Sequence, residues 1–112
     1  MVKQVHALGG IIIRAHPYRE DAYIAEACVQ RPGLDIDAVE VFNGGNKREV
    51  YNLRAQEMAL REGKPFVAGS DTHSVGTTAS NFIGFFDEPK DYPALCRMIR
   101  EGQACVVHQP RK

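Results

Sequence analysis

The sequence predicts an α/β domain of alternating strand-helix units with a mostly parallel sheet, and three observations predict it. Short apolar runs rich in β-branched residues alternate with stretches of helical periodicity, the order that βαβ units produce. Each run is apolar at consecutive positions rather than alternate ones, as in strands covered on both faces. Three of the runs end in loops that open with His16, with Asn43, and with Asp71 and His73. Parallel sheets place their functional residues at such carboxyl ends.

The elements follow in chain order. Residues 1–8 read as the tail of a helix, with Gly9-Gly10 as its left-handed stop. A chain that opens on a helix tail reads as a piece of something longer, either a truncation or a natural half. Residues 11–15, Ile-Ile-Ile-Arg-Ala, form a β-branched strand. Pro17 disfavours helix at His16 and begins a loop. A helix over residues 21–30 buries Ile24, Ala25, Cys28 and Val29, and Pro32-Gly33 ends it.

Residues 38–42 are the next strand, closing in Asn43-Gly44-Gly45-Asn46. Asn46 is placed to cap the following helix, with Glu49 three residues on as in a capping box. That helix runs to Glu62 with Tyr51, Ala55, Met58 and Ala59 on one stripe, and Gly63 stops it. Residues 65–68 form a third strand and residues 74–81 a small polar loop. A fourth strand spans 82–86. Asp91 caps a helix whose Tyr92, Leu95, Cys96 and Ile99 share a face, Gly102 stops it, and residues 104–107 form a last short strand.

At 112 residues the chain makes one domain, 1–112, with a single core. A hydrophobic share of 44% with 25% charged residues is globular rather than disordered. The zero formal net charge gives no electrostatic reason for nucleic acid or an anionic membrane as partner. No apolar run is long enough to span a bilayer, and Val2-Lys3-Gln4-Val5-His6 is mixed rather than basic-then-apolar. Cys28, Cys96 and Cys105 are an odd count without C-x-x-C spacing, which points to reduced thiols and a cytoplasmic setting.

Asp71 and His73 stand two residues apart after a buried strand, and on an extended backbone their side chains point the same way. A hard oxygen beside a borderline nitrogen suits a divalent ion such as Zn²⁺ or Mn²⁺. The triplet alone is unspecific, and the second strand end, at His16, is what strengthens it. Asp71 is equally able to bond the backbone two residues on, and His16 to pack as a loop histidine under Pro17. Arg14 and Arg19 flank the His16 loop and can grip a phosphate by forked hydrogen bonds. Against that, Arg19 reads as a solvated arginine, and Arg14 as one half of a buried pair with Glu40. Asn43 either touches substrate or shapes the turn, and Glu40 is placed to support a ligand histidine from behind. Lys47 and Arg48 decorate a helix start, and His6 and His108 receive no role.

Two motifs, Gly9-Gly10-Ile11-Ile12-Ile13-Arg14-Ala15-His16-Pro17 and Ala68-Gly69-Ser70-Asp71-Thr72-His73, enclose Asp37-Ala38-Val39-Glu40-Val41-Phe42-Asn43. Together they resemble the carboxyl-terminal half of the PHP (polymerase and histidinol phosphatase) family of metal-dependent phosphoesterases, over about residues 6–107. The resemblance implies the second half of a distorted (β/α)7 barrel with up to three metal ions at its carboxyl rim. It implies that His16, Asp71 and His73 are metal ligands, spread over different ions. The family's H-x-H motif, Asp-His pair, bridging Glu and further His have no counterpart here. Since a catalytic zinc usually takes three protein ligands, weak metal binding or none is expected of the chain alone.

The implied activity is hydrolysis of a phosphate ester, of a phosphorylated small molecule or nucleotide, with Zn, Mn or Fe ions lowering the pKa of a bound water. No residue is assigned as catalytic acid or base. The alternative is a non-catalytic metal-binding or assembly remnant. Strand faces left wet forfeit roughly 25 cal/mol per Å², so a dimer, or association with a separately encoded first half, is expected. A third reading, an amidohydrolase-like fragment, would act on amides rather than phosphate esters.

Overall fold

The computed structural model describes residues 1–20 and 34–109. Among them, β1 (Ile13–Arg14), β2 (Ala38–Asn43) and β3 (Phe66–Gly69) form a parallel sheet in the order β1-β2-β3. The helices are α1 (Val2–Ala7), α2 (Glu49–Glu62) and α3 (Tyr92–Arg100). The last two strands, β4 (Asn81–Gly84) and β5 (Cys105–His108), depart from the expected parallel pattern: they pair antiparallel as a separate sheet beside β3. The chain is thus a small α/β unit, and its described strands do not close into a barrel.

Both faces of β2 are covered, as its unbroken apolar run requires. On one face Ile36, Val39 and Val41 pack against Ala55, Met58 and Ala59 of α2. On the other, Ala38 and Val67 meet Ile99 of α3, with Ile83, Phe85 and Leu95 closing the layer. Between Glu40 and Phe42 the β2–β3 register shifts by a bulge, which re-aims the end of β2 so that Asn43 stands opposite Gly69.

Several boundaries differ from the sequence reading for local reasons. The expected strand over 11–15 contracts to two residues because Asp37 captures its start: the Asp37 carboxylate accepts the Ile12 N–H at 2.7 Å. That carboxylate also takes hydrogen bonds from His6 (2.7 Å) and Arg100 (3.1 Å), tying α1, β1 and α3 together. Burial pushes the Asp37 carboxyl up, yet the Ile12 N–H, His6 and Arg100 outweigh it and leave the group below its ordinary range. The expected helix over residues 21–30, with Ile24, Ala25, Cys28 and Val29, lies outside the described residues.

The stripe Tyr51, Ala55, Met58 and Ala59 of α2 is buried, and Gly63 ends the helix at φ 65°. The capping box does not form. Arg48 is the N-cap, extended and without a side-chain cap, while the Asn46 carboxamide is drawn to Arg19 and Asn52. Arg48 lies over the Tyr51 ring, 5.6 Å from its centroid. Asp91 does cap α3, its Oδ1 accepting the Ala94 N–H at 2.8 Å. The face α3 buries is Ala94, Met98 and Ile99; Tyr92, in the first turn, is turned out to solvent. Among the described residues no helix is long and apolar enough to cross a membrane. Cys96 and Cys105 are free thiols, and Cys28 is outside the described residues.

Candidate functional site

Parallel pairing sends the ends of β1, β2 and β3 to one edge, and their three loops meet there. From the β1 loop, Arg19 reaches across the other two. Its Nη2 donates to Asn43 Oδ1 and to Asp71 Oδ2, each at 2.6 Å, and its Nε donates to Asn46 Oδ1 at 3.0 Å. The side chain is only 8% exposed, so the solvated reading of Arg19 is corrected. These three contacts also give it protein acceptors in place of a phosphate.

Glu40, on β2, lies beneath this edge. Its Oε2 accepts from the His16 backbone N–H and from Asn43 Nδ2, both at 2.8 Å. Its contact with His16 is to the main chain. A Cβ on Gly69 would lie 2.7 Å from Glu40 Oε1, so a side chain there would push this carboxylate aside. Asn43 serves the turn: its Oδ1 also accepts the Gly45 N–H at 2.7 Å, two residues on. Gly45 is packed so tightly that a Cβ there would come within 2.6 Å of Asp71 Oδ2.

The backbone at Asp71 is not extended as the simple alternation argument requires. Asp71 has φ 52° and His16 has φ 27°, both in the left-handed region. The turn brings the His73 ring back over its own loop, where Nδ1–H donates to the Asp71 carbonyl at 3.0 Å and lies 3.7 Å from Asp71 Oδ1. The ring is 88% exposed, which leaves Nε2 toward solvent. Burial pushes the Asp71 carboxyl up, but the Arg19 hydrogen bond and charge, then the charges of His16 and His73, hold it below the usual carboxylate range. His16, Asp71 and His73 therefore share one electrostatic neighbourhood, with the carboxylate ionised at its centre.

These donors do not by themselves fit a metal ion. Among the described residues no three His, Cys, Asp or Glu side chains gather as a metal-holding group. Asp71 Oδ2 and Glu40 Oε2 are already engaged by the guanidinium and by N–H donors. Arg14 lies half-buried in β1 beside this edge.

Comparison with protein-family models matches residues 49–104, half of the chain, to the PHP-associated family. The chain belongs to that family. Comparisons with curated proteins and with solved structures return no match. The PHP-associated segment contains Asp71 and His73, while His16, Arg19, Glu40 and Asn43 precede it, so the rim is shared between the matched segment and the residues before it.

Two residues at or beside this rim escape a sequence reading. Asn52, on α2, is buried, its Oδ1 accepting the Asn43 N–H at 3.1 Å and Asn46 Nδ2 at 2.8 Å. An asparagine inside an otherwise apolar helical stripe is the signal for it. His108, at the end of β5, stacks on Phe42 with ring centroids 4.4 Å apart and donates from Nδ1 to Asn81 Oδ1. No local pattern distinguishes it from a surface histidine.

Proposed function

We propose that this chain supplies one side of a PHP-type, metal-dependent phosphoesterase centre, one that needs donors beyond the described residues for turnover. The observation that carries the reading is the reach of Arg19 across three loops to hold Asp71, whose carboxyl Arg19, then His16 and His73, keep below its ordinary range. In this reading His16, Asp71 and His73 are the donors offered to divalent ions (Zn, Mn or Fe), and the fold corresponds to the second half of a (β/α)7 barrel. Bound ions would supply charge neutralisation and an activated water.

The chain's own groups do the rest. Arg19 is a positioning residue that keeps Asp71 charged and directed. The His73 Nδ1–H bond to the Asp71 carbonyl leaves Nε2 as the open nitrogen.

The test is Mn²⁺ titration followed by NMR, with turnover of an aryl phosphate measured in parallel. Weak binding is expected, with broadening of the His16 and His73 ring signals that Asp71→Asn removes, and with negligible turnover by the chain alone. No broadening at either ring, or turnover that survives loss of both His16 and Asp71, overturns the reading. A second reading, assembly with another chain, is favoured by β1, which pairs only with β2 among the described residues and exposes Ile13. A clean monomer in sedimentation at micromolar concentration counts against it.

A further inference from the structure

The ribbon of β4 and β5 has two unlike faces. Its register sets Phe82 opposite Val107, Ile83 opposite Val106 and Gly84 opposite Cys105. Paired residues share a face, and successive ones alternate. Ile83 lies on the core side, packed with Ala38, Val67 and Ile99. Phe82, Gly84, Cys105 and Val107 therefore make up the other face, which is turned outward: Phe82 is 43% and Val107 37% exposed, and Cys105 is exposed as well. Phe86, two residues past Gly84, is 94% exposed. Neither strand carries a lysine, arginine, aspartate or glutamate to blunt this face.

Gly84 is the residue that the fold itself does not account for. Its φ lies outside the left-handed region, and a Cβ built on it would meet nothing within 4 Å among the described residues. Neither a turn nor close packing with those residues calls for glycine there, yet glycine in a strand sacrifices side-chain packing and costs extra backbone entropy. Such a glycine often marks a place where another backbone approaches closely. The outer face thus has a hollow at Gly84, about 7 Å along the strand from the projecting ring of Phe82.

A projection and a hollow two residues apart on one strand are self-complementary. When two such ribbons pack face to face about a twofold axis, with β4 antiparallel to its copy, Phe82 of each covers Gly84 of the other. Area and charge both suit a second copy. With about 200 Å² to an aromatic side chain, the exposed parts of Phe82, Phe86 and Val107 offer roughly 300 Å² of apolar surface. A standard interface takes about 800 Å² from each partner, roughly 450 Å² of it apolar. The face therefore suits a dimer that dissociates on dilution rather than a permanent one. It carries no charge and the chain's formal net charge is zero, so two copies approach without repulsion, while a charged partner finds no counter-charge there.

We infer that the outer face of the β4–β5 ribbon is a homodimer interface, in which Phe82 of each copy seats over Gly84 of the other and Cys105 is covered. This interface is separate from the β1 edge, and it holds whether or not the rim carries phosphoesterase chemistry.

The experiment is sedimentation equilibrium of the full chain from about 10 μM to 1 mM, the range for a small interface, with alkylation of Cys105 by iodoacetamide timed over the same range. The average mass is expected to rise toward that of a dimer. Cys105 should react about fivefold more slowly at the highest concentration than at the lowest, by mass action, while Cys96 in α3 keeps one rate. Gly84→Val adds a side chain where the chain has room, so it should keep the wild-type circular dichroism and melting temperature yet stay monomeric, with Cys105 equally reactive at every concentration. Phe82→Lys should also be monomeric, and provides the check should Gly84→Val fail to fold. A chain that stays monomeric to about 1 mM leaves the face to a different partner and overturns the inference. So does a dimer that survives both variants, or one that Ile13→Lys dissolves and Gly84→Val does not, which belongs to the β1 edge.

Discussion

Replacing Arg19 by methionine is the perturbation that tests the rim most directly. Methionine keeps much of the apolar stem, so the change removes chiefly three hydrogen bonds from a charged donor. Such bonds contribute about 1.5–3 kcal/mol each, but their loss is not uniform here. Asn43 Oδ1 keeps the Gly45 N–H, and Asp71, 21% exposed, can turn to water. Asn46 is 6% exposed, and its Oδ1 loses the partner that satisfies it. The net expected loss is about 2–4 kcal/mol, overlapping the low end of the roughly 3–5 kcal/mol for breaking a fully buried ion pair by removing one member. Urea unfolding should show a midpoint lower by about 1–3 M with an unchanged slope. A double-mutant cycle with Asp71→Asn should give a coupling above about 1 kcal/mol, since the two groups share one bond network. A variant within about 0.5 kcal/mol of wild type, as for an ordinary surface site, or an additive cycle, would refute the strut role.

Acid should weaken the fold. Asp37 and Asp71 both have carboxyls held below their ordinary range when folded, so their stabilisation is complete above the unfolded pKa of about 3.9 and is lost as pH falls through the folded values. The Asp37→Asn, Asp71→Asn double variant should show a flatter stability-pH curve below about pH 4 than wild type, measured by urea unfolding. Gly45→Ala, whose Cβ meets Asp71, Arg19 and Asn43, should cost about 1–3 kcal/mol, whereas Gly76→Ala, with nothing within 4 Å, should be near neutral in the same thermal melts. Met58→Ala, at a 2% exposed position in the α2 layer, should cost about 2–5 kcal/mol and lower the melting temperature accordingly.

The parts of this fold legible in sequence are those written in short windows. The stripe of α2, the Gly63 stop and the Asp91 cap each depend on residues within a few positions of one another, and each stands where periodicity and capping chemistry place it. The convergence of three strand ends was legible too, because alternating strands and helices imply parallel pairing. What stayed hidden is non-local. Arg19 looks solvated until Asn43 and Asp71, 24 and 52 residues away, are brought to it. Asn46 has the right offset for a capping box, yet a buried guanidinium and Asn52 offer its carboxamide better partners than a helix N–H. The antiparallel pairing of β4 with β5 joins strands on either side of α3 in sequence, an arrangement that alternation alone does not specify. His108 acquires meaning only through Phe42, Asn81 and Glu49, on three other elements.

The left-handed turns at His16 and Asp71 carry one more consequence. An L-residue with a side chain sits there at a torsional disadvantage of about 1–2 kcal/mol, against which glycine's greater freedom in the unfolded chain weighs about 0.4–1 kcal/mol. A segment that needed only to bend would fold as well with hydrogen in place of the imidazole. His16→Gly should accordingly melt no lower than the parent, and up to several degrees higher, while its Mn²⁺ response weakens, separating a residue kept for its nitrogen from one kept for its shape.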